Sequence, residues 1–327
     1  MAIRVGQGQF TYELDEGWGR LPEGWSYYEV VGIAVDAKQR VYVFNRGDHP
    51  IIVLDQAGAV LGSWGTGAFD RPHGINIGPD DAIYCVDDLG HTVQRFTTEG
   101  GLTLTLGTRG VASDTGFTDA SPRVTKGGLP FNRPTNVAVG PGGDIFVTDG
   151  YRNSRIHKFS HDGRHLLSWG EPGTGPGEFD LPHGIAVDAS GTVYMGDRAN
   201  NRIQLFDSNG TYQGEWTDVT LPCDIFLRDG FAYVAELGLR AGAPDAPDDV
   251  PGARISVFSL DGTLQARWGE AHKDGTDSCA PGYFRAAHGI HADAAGNLYV
   301  GEVTRTASGG IAPEGCHVFQ RFRKVPA

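Results

Sequence analysis

Gly184-Ile185-Ala186-Val187-Asp188 decides how the rest of the chain is read. It is a short apolar run closed by an acidic residue. A second run follows and ends at Asp197. Arg202-Ile203-Gln204-Leu205-Phe206 then alternates polar and apolar with a period of two, as a strand does. A fourth run ends at Trp216. The same cadence starts at Gly32-Ile33-Ala34-Val35-Asp36, Gly74-Ile75-Asn76-Ile77-Gly78, Asn136-Val137-Ala138-Val139-Gly140, Asp224-Ile225-Phe226-Leu227-Arg228 and Gly289-Ile290-His291-Ala292-Asp293. In five copies, thirteen positions from the first residue of the pentad lead to Asn45, Asp87, Asp149, Asp197 or Glu302; in the fifth copy along the chain, twelve lead to Glu236. Fourth runs close on Trp64, Trp169, Trp216 and Trp268, with Leu106 in the second copy.

Each unit reads as four short antiparallel strands in roughly 40 residues, the size of a propeller blade. Six copies predict an all-β chain, a six-bladed β-propeller forming one domain over residues 1–327. The last copy offers only three strands. The stretch Phe10-Thr11-Tyr12-Glu13-Leu14-Asp15-Glu16-Gly17-Trp18 reads as the missing fourth, closing the ring and covering two sheet edges. Residues 108–131 and 240–254 break the period and read as long loops, which on a rigid ring often carry recognition.

Composition narrows the function. The chain has 327 residues and a net charge of −13, which argues against nucleic acid or an anionic membrane as partner. The 49 glycines and 18 prolines show no triplet period and so mark turns. No apolar run is long enough to span a bilayer, and the N-terminal residues lack the apolar stretch of a signal peptide. Cys85, Cys223, Cys279 and Cys316 form no CxxC pair. They read as four reduced thiols in a cytoplasmic protein, although a Cys279–Cys316 bridge is not excluded by sequence.

The residue just before each pentad is, in order, Val31, His73, Thr135, His183, Cys223 and His288. The histidines fall in copies two, four and six. Alternate blades of a six-bladed ring are about 120° apart, and these positions begin the innermost strands. Three imidazoles would therefore converge with threefold spacing, the layout of a His₃ zinc site with an open fourth position. Imidazole also suits other first-row divalent metals. A single such histidine would more simply cap its strand by bonding backbone.

Arg46 and Arg198 follow the repeat's polar position in copies one and four, and Tyr151 follows Asp149-Gly150 in copy three. All three should lie at the histidine end. Two arginines can hold a carboxylate by forked hydrogen bonds. A tyrosine among cations and a metal can serve as general base. The plainer reading is that the arginines pair with the repeat acids and the tyrosine packs. The recurring Asp87, Asp149, Asp197 and Glu302 read as architecture, bonding backbone at turns.

Asp149-Gly150-Tyr151-Arg152-Asn153-Ser154-Arg155-Ile156 and Asp197-Arg198-Ala199-Asn200-Asn201-Arg202-Ile203-Gln204 resemble NHL-type blades. With Arg46-Gly47-Asp48-His49, Leu181-Pro182-His183 and the other two histidines, the chain resembles the peptidyl-α-hydroxyglycine α-amidating lyase family from about Val31 onward. That resemblance implies zinc on His73, His183 and His288, Tyr151 as base, Arg46 near the reacting hydroxyl and Arg198 as the second active-site arginine. It implies cleavage of the C–N bond of an N-acyl carbinolamine to an amide and glyoxylate. The family's structural calcium uses backbone carbonyls that match Ile33 and Ile75 and an aspartate after the third histidine. Gly289 stands there instead, which counts against calcium. Arg152 replaces a family cysteine, and Ala287 a proline. Without a leader or monooxygenase domain, the expected substrate is a small carboxylate-bearing molecule. Two alternatives stay open: a zinc hydrolase of an ester, lactone or amide on the same site, and a non-catalytic NHL scaffold.

Overall fold

The computed structural model describes residues 2–238, 250–271 and 278–326. Of the second expected loop, residues 240–249 lie outside the described part. The described chain is nearly all β, and its six main sheets are the blades of a six-bladed β-propeller. Cα packing groups it into two compact units, Trp64–Asp218 and Met1–Ser63 with Val219–Ala327.

The unit Trp64–Asp218 holds three four-stranded antiparallel sheets. The second blade is Pro72–Ile77, Ile83–Asp87, Thr92–Phe96 and Leu102–Gly107. The third is Asn136–Val139, Ile145–Asp149, Arg155–Phe159 and His165–Trp169. The fourth is Pro182–Val187, Val193–Asp197, Arg202–Phe206 and Tyr212–Trp216. Each pentad falls in an inner strand. Near-continuous apolar runs such as Ile83–Asp87 and Ile145–Asp149, buried at every position, make both sheet faces apolar there, so neighbouring blades bury them against each other. Val86, Val93, Phe131, Val137 and Val147 pack between the second and third blades; Ala138, Phe146, Ile185, Met195 and Phe206 pack between the third and fourth.

The other unit holds the first blade (Val30–Val35, Val41–Asn45, Ile51–Leu54, Val60–Trp64), the fifth (Pro222–Arg228, Phe231–Glu236, Arg254–Ser259, Leu264–Trp268) and the sixth. The sixth is built from Ala287–Ala292, Leu298–Glu302 and Phe319–Lys324, with Tyr12–Leu14 paired antiparallel to Phe319–Lys324. The N-terminal segment thus supplies the fourth strand, as expected, and Arg4–Val5 adds a short fifth outside it. Tyr12 is fully buried beside Trp268 and Phe322.

The repeat acids do the same work in every blade that carries one. Asp87 accepts backbone N–H bonds from Asp70 and Arg71, at 2.7 and 2.8 Å. Asp149 accepts from Asn132, Asp197 from Asp180 and Glu236 from Thr220; Glu302 accepts from Arg285 and Ala286. Each acid thereby latches the segment leading into the inner strand of its own blade. Those segments run directly into the three histidines in blades two, four and six.

One expectation is corrected. Cys279 and Cys316 are joined as a disulfide, their Cα atoms 4.2 Å apart, while Cys85 and Cys223 are buried thiols outside it. The two partners lie on loops flanking the last blade and meet because its strands return both loops to one end. With a bridge formed, cysteine chemistry no longer argues for a reducing compartment.

Candidate active site

His73 and His183 sit one residue inside the inner strands of the second and fourth blades, each at a break in the ladder register. Such a bulge adds a residue to one strand and re-aims its side chain. Both imidazoles are buried, with ring centroids 4.8 Å apart. His73 Nδ1 lies 2.5 Å from the carbonyl of Thr135. A carbonyl only accepts, so Nδ1 carries the proton and Nε2 presents its lone pair. That lone pair faces Tyr151: the phenol oxygen is 2.9 Å from Nε2 of His73 and 3.4 Å from Nε2 of His183.

Glycines permit this approach. A Cβ on Gly74 would stand 2.8 Å from the Thr135 carbonyl oxygen, the same atom that orients His73. A Cβ on Gly150 would lie 1.8 Å from the carbonyl oxygen of Pro182. Gly150 therefore lets the turn of the third blade press onto the start of the fourth, carrying Tyr151 to His183. Thr135 ties the arrangement together. Its hydroxyl donates to Pro182 O at 2.9 Å, and Thr148 donates to His183 O at 2.8 Å.

Two guanidinium groups face the Tyr151 ring, Arg133 at 5.4 Å and Arg198 at 5.9 Å from its centroid. Cations at this distance interact favourably with the ring and with any charge on its oxygen. Arg198 was expected near Tyr151. Arg133 was not, although it stands two residues before Thr135 as Arg71 stands two before His73, because the side chain at that position changes from blade to blade. Asp88, fully buried, pairs with Arg71 at 2.6 Å and with Arg133 at 3.7 Å. It occupies in the second blade the position that Arg46 and Arg198 occupy in theirs, and that shared position was the signal that could have found it.

In the other unit, His288 repeats the pattern of His73. It is buried, at a register break, and its Nδ1 donates to Val31 O at 2.8 Å. Val31 and Thr135 are the repeat residues of odd-numbered blades, so both histidine tautomers are set by the carbonyl of an equivalent neighbour. Arg46 donates to Glu29 and to the Thr306 hydroxyl, both at 3.1 Å. Glu29 also accepts from the Thr306 hydroxyl at 2.8 Å. Sequence reasoning missed Glu29, which stands two residues before Val31, where the second and third blades carry Arg71 and Arg133.

Within the unit Trp64–Asp218, His73 and His183 thus form a pair of buried imidazoles, and His288 in the other unit carries the same carbonyl-set tautomer as His73. Imidazoles of this kind suit a divalent first-row cation, and the carbonyls of Thr135 and Val31 are the outer partners that fix tautomer and ring angle of His73 and His288.

Over 276 residues the chain is 34% identical to "NHL repeat-containing protein 3" of Homo sapiens, a match covering 79% of this chain and 75% of that one. The chain belongs to that family. This NHL-repeat chain is also 29% identical over 286 residues to "Peptidyl-alpha-hydroxyglycine alpha-amidating lyase 1" of Drosophila melanogaster, covering 77% of this chain and 47% of that one. Residues 123–234 match a family model described as "6-bladed beta-propeller". Among solved structures, one titled "Streptogramin B lyase structure" superposes with a TM-score of 0.61 at 16% identity, over 97% of this chain and 99% of that one. At that identity the likeness is one of fold.

Proposed function

We propose that this chain is a metal-dependent lyase that cleaves the C–N bond of a small N-acyl-α-hydroxyglycine-like molecule, releasing an amide and glyoxylate or a related aldehyde. The observation that carries this reading is the Tyr151 hydroxyl set 2.9 and 3.4 Å from the Nε2 atoms of His73 and His183. A general base beside a metal-ligand set is what deprotonating a weakly acidic hydroxyl requires. The relatedness to named amidating lyases points the same way.

His73, His183 and His288 would hold the cation, Zn²⁺ or another first-row divalent metal, which when bound supplies Lewis acidity to a substrate oxygen. Tyr151, as the phenolate, takes the proton of the substrate's carbinol hydroxyl. The oxygen's electron pair then forms the carbonyl as the C–N bond breaks, and the departing amide nitrogen receives that proton back from Tyr151. Arg198 stands beside the Tyr151 ring, where it can hold the substrate carboxylate and balance negative charge on the phenol oxygen. Arg46, whose guanidinium is fixed by Glu29, would supply the second carboxylate contact.

The test is glyoxylate release from N-acyl-α-hydroxyglycines by purified protein of measured metal content. Running the reaction in ¹⁸O water separates this reading from hydrolysis. A hydrolase incorporates solvent oxygen into an acid product, whereas the lyase yields an intact amide without it. Absence of metal together with absence of turnover would leave a scaffold and overturn the proposal.

A further inference from the structure

Arg71 and Arg133 share one carboxylate unequally. Asp88 is fully buried, and its Oδ2 lies 2.6 Å from Nη1 of Arg71 but 3.7 Å from Nη2 of Arg133. The first contact is a charge-assisted hydrogen bond; the second is an ion pair too long to be one. The neighbouring repeat acids are committed to backbone: Asp87 accepts from Asp70 and Arg71, and Asp149 from Asn132. The charge of Asp88 therefore goes mainly to Arg71. Arg133 keeps unspent donors. Its side chain is 19% exposed, and its Nε is buried with no hydrogen-bond partner among the described residues. A buried donor on a charged group is costly to leave unpaired, and an anion beside it would satisfy it.

The backbone ties Arg133 to the proposed base. Its N–H donates to Nδ1 of His91 at 3.0 Å, and its carbonyl accepts the N–H of Tyr151 at 3.3 Å. Arg133 has a φ of 67°, a left-handed conformation that a β-carbon disfavours. Leu181, at the same place in the fourth blade, has a φ of 61°. The conformation thus belongs to the repeat, and the guanidinium beside Tyr151 is what the third blade adds to it. Its carbon lies 5.4 Å from the centre of the Tyr151 ring, with that of Arg198 at 5.9 Å. Donors held in place beforehand lose little entropy when a ligand arrives.

We infer that Arg133 is a carboxylate-binding residue, donating to the substrate carboxylate alongside Arg198, and that Arg71 is a positioning residue that occupies Asp88 and so leaves Arg133 available. The lyase reading, on which the inference rests, puts the carboxylate on the same carbon as the hydroxyl that Tyr151 deprotonates. The carboxylate is then a neighbour of Tyr151, where both guanidinium groups stand. A carboxylate offers about four acceptor sites, enough for donors from both.

The probes are N-acetylglycine, which carries the carboxylate, and N-acetylglycinamide, which has a neutral amide in its place. Neither has the α-hydroxyl, so calorimetry reads binding without turnover. The native protein should prefer N-acetylglycine about a hundredfold, roughly tenfold from each guanidinium, the scale of a charge-assisted hydrogen bond. Arg133→Ala should cut that preference about tenfold, with the affinity for N-acetylglycinamide and the metal content unchanged. Arg133→Gln, which keeps a polar stem without the charge, should show the same loss. Arg71→Ala lets Asp88 pair fully with Arg133 and should lower the preference as well, adding nothing further in the double variant with Arg133→Ala; an unaltered preference in Arg71→Ala removes its positioning role. Equal binding of the two probes by the native protein, or an undiminished preference in either Arg133 variant, overturns the inference. So does a parallel loss of both affinities in the two Arg133 variants, the mark of a structural role. The two readings fail separately. A preference that depends on Arg133, with no glyoxylate from N-acetyl-α-hydroxyglycine, sinks the lyase and supports the carboxylate site; glyoxylate release with KM unchanged in Arg133→Ala supports the lyase and sinks the site.

Discussion

Nε2 of His73 lies 2.9 Å from the hydroxyl of Tyr151, while Nδ1 of the same ring is committed to the Thr135 carbonyl. The ring thus has one nitrogen for the scaffold and one for chemistry. The phenol oxygen stands where the Nε2 atoms of His73 and His183 converge.

Tyr151→Phe removes that oxygen and leaves the ring between Arg133 and Arg198. The expected result is a fall in kcat of about a hundredfold or more, the scale of a lost general base. Metal content should stay at the native level. Glyoxylate assay and elemental analysis of the same preparation check both.

His183→Ala should lower bound metal, because two imidazoles without the third hold a cation poorly. Elemental analysis after dialysis reads this directly. Native-level metal in the variant would dissociate His183 from the site.

Glu29→Gln leaves Arg46 without its anionic partner. That buried pair, 3.1 Å apart, aims the guanidinium. KM for a carboxylate-bearing substrate should rise about tenfold with kcat changed far less, the pattern of lost ground-state binding. Circular dichroism matching the native protein would show that the effect is local.

Glu302 sets a pH dependence. Burial is the largest influence on it and outweighs the N–H bonds from Arg285 and Ala286, raising its pKa from 4.5 to about 7. Below 4.5 the acid is protonated whether folded or unfolded. Between 4.5 and about 7 the folded state keeps the proton that the unfolded chain releases, so stability falls as pH rises through this window and is flat above it. The full effect is at most about 3 kcal/mol. Urea melts at pH 4.5, 6 and 8 should show it, and Glu302→Gln should flatten it.

The Cys279–Cys316 bridge closes a loop of sequence separation 37. In the chain-entropy account its loss costs about 4 kcal/mol. Reduction should lower the urea midpoint, and a peptide map made without reductant should contain the linked pair. Two free thiols in that map would remove the bridge.

The blades were legible because each is a local object. Turn glycines, alternating runs and a polar residue at a fixed offset sit within about 40 residues. The histidine trio was legible for a related reason: a repeat gives every residue an address, and equal addresses become equivalent places around an axis. Glu29, Arg71 and Arg133 share an address, two residues before Val31, His73 and Thr135 respectively, but the side chain there differs from blade to blade, so the position alone signals no role. Thr135 had an address but an unremarkable side chain, and its importance comes from a carbonyl that every residue possesses. The pairing of Cys279 with Cys316 depends on where two loops return, which spacing does not encode.

Tyr12–Leu14 pairs with Phe319–Lys324, so the sheet that carries His288 needs strands from opposite ends of the polypeptide. During synthesis the blades bearing His73 and His183 can fold as soon as they leave the ribosome. The third imidazole has no finished sheet until the last strand emerges. If the three histidines hold a cation as proposed, one encountered early would meet only two of them, and tight capture would wait for the completed sixth blade.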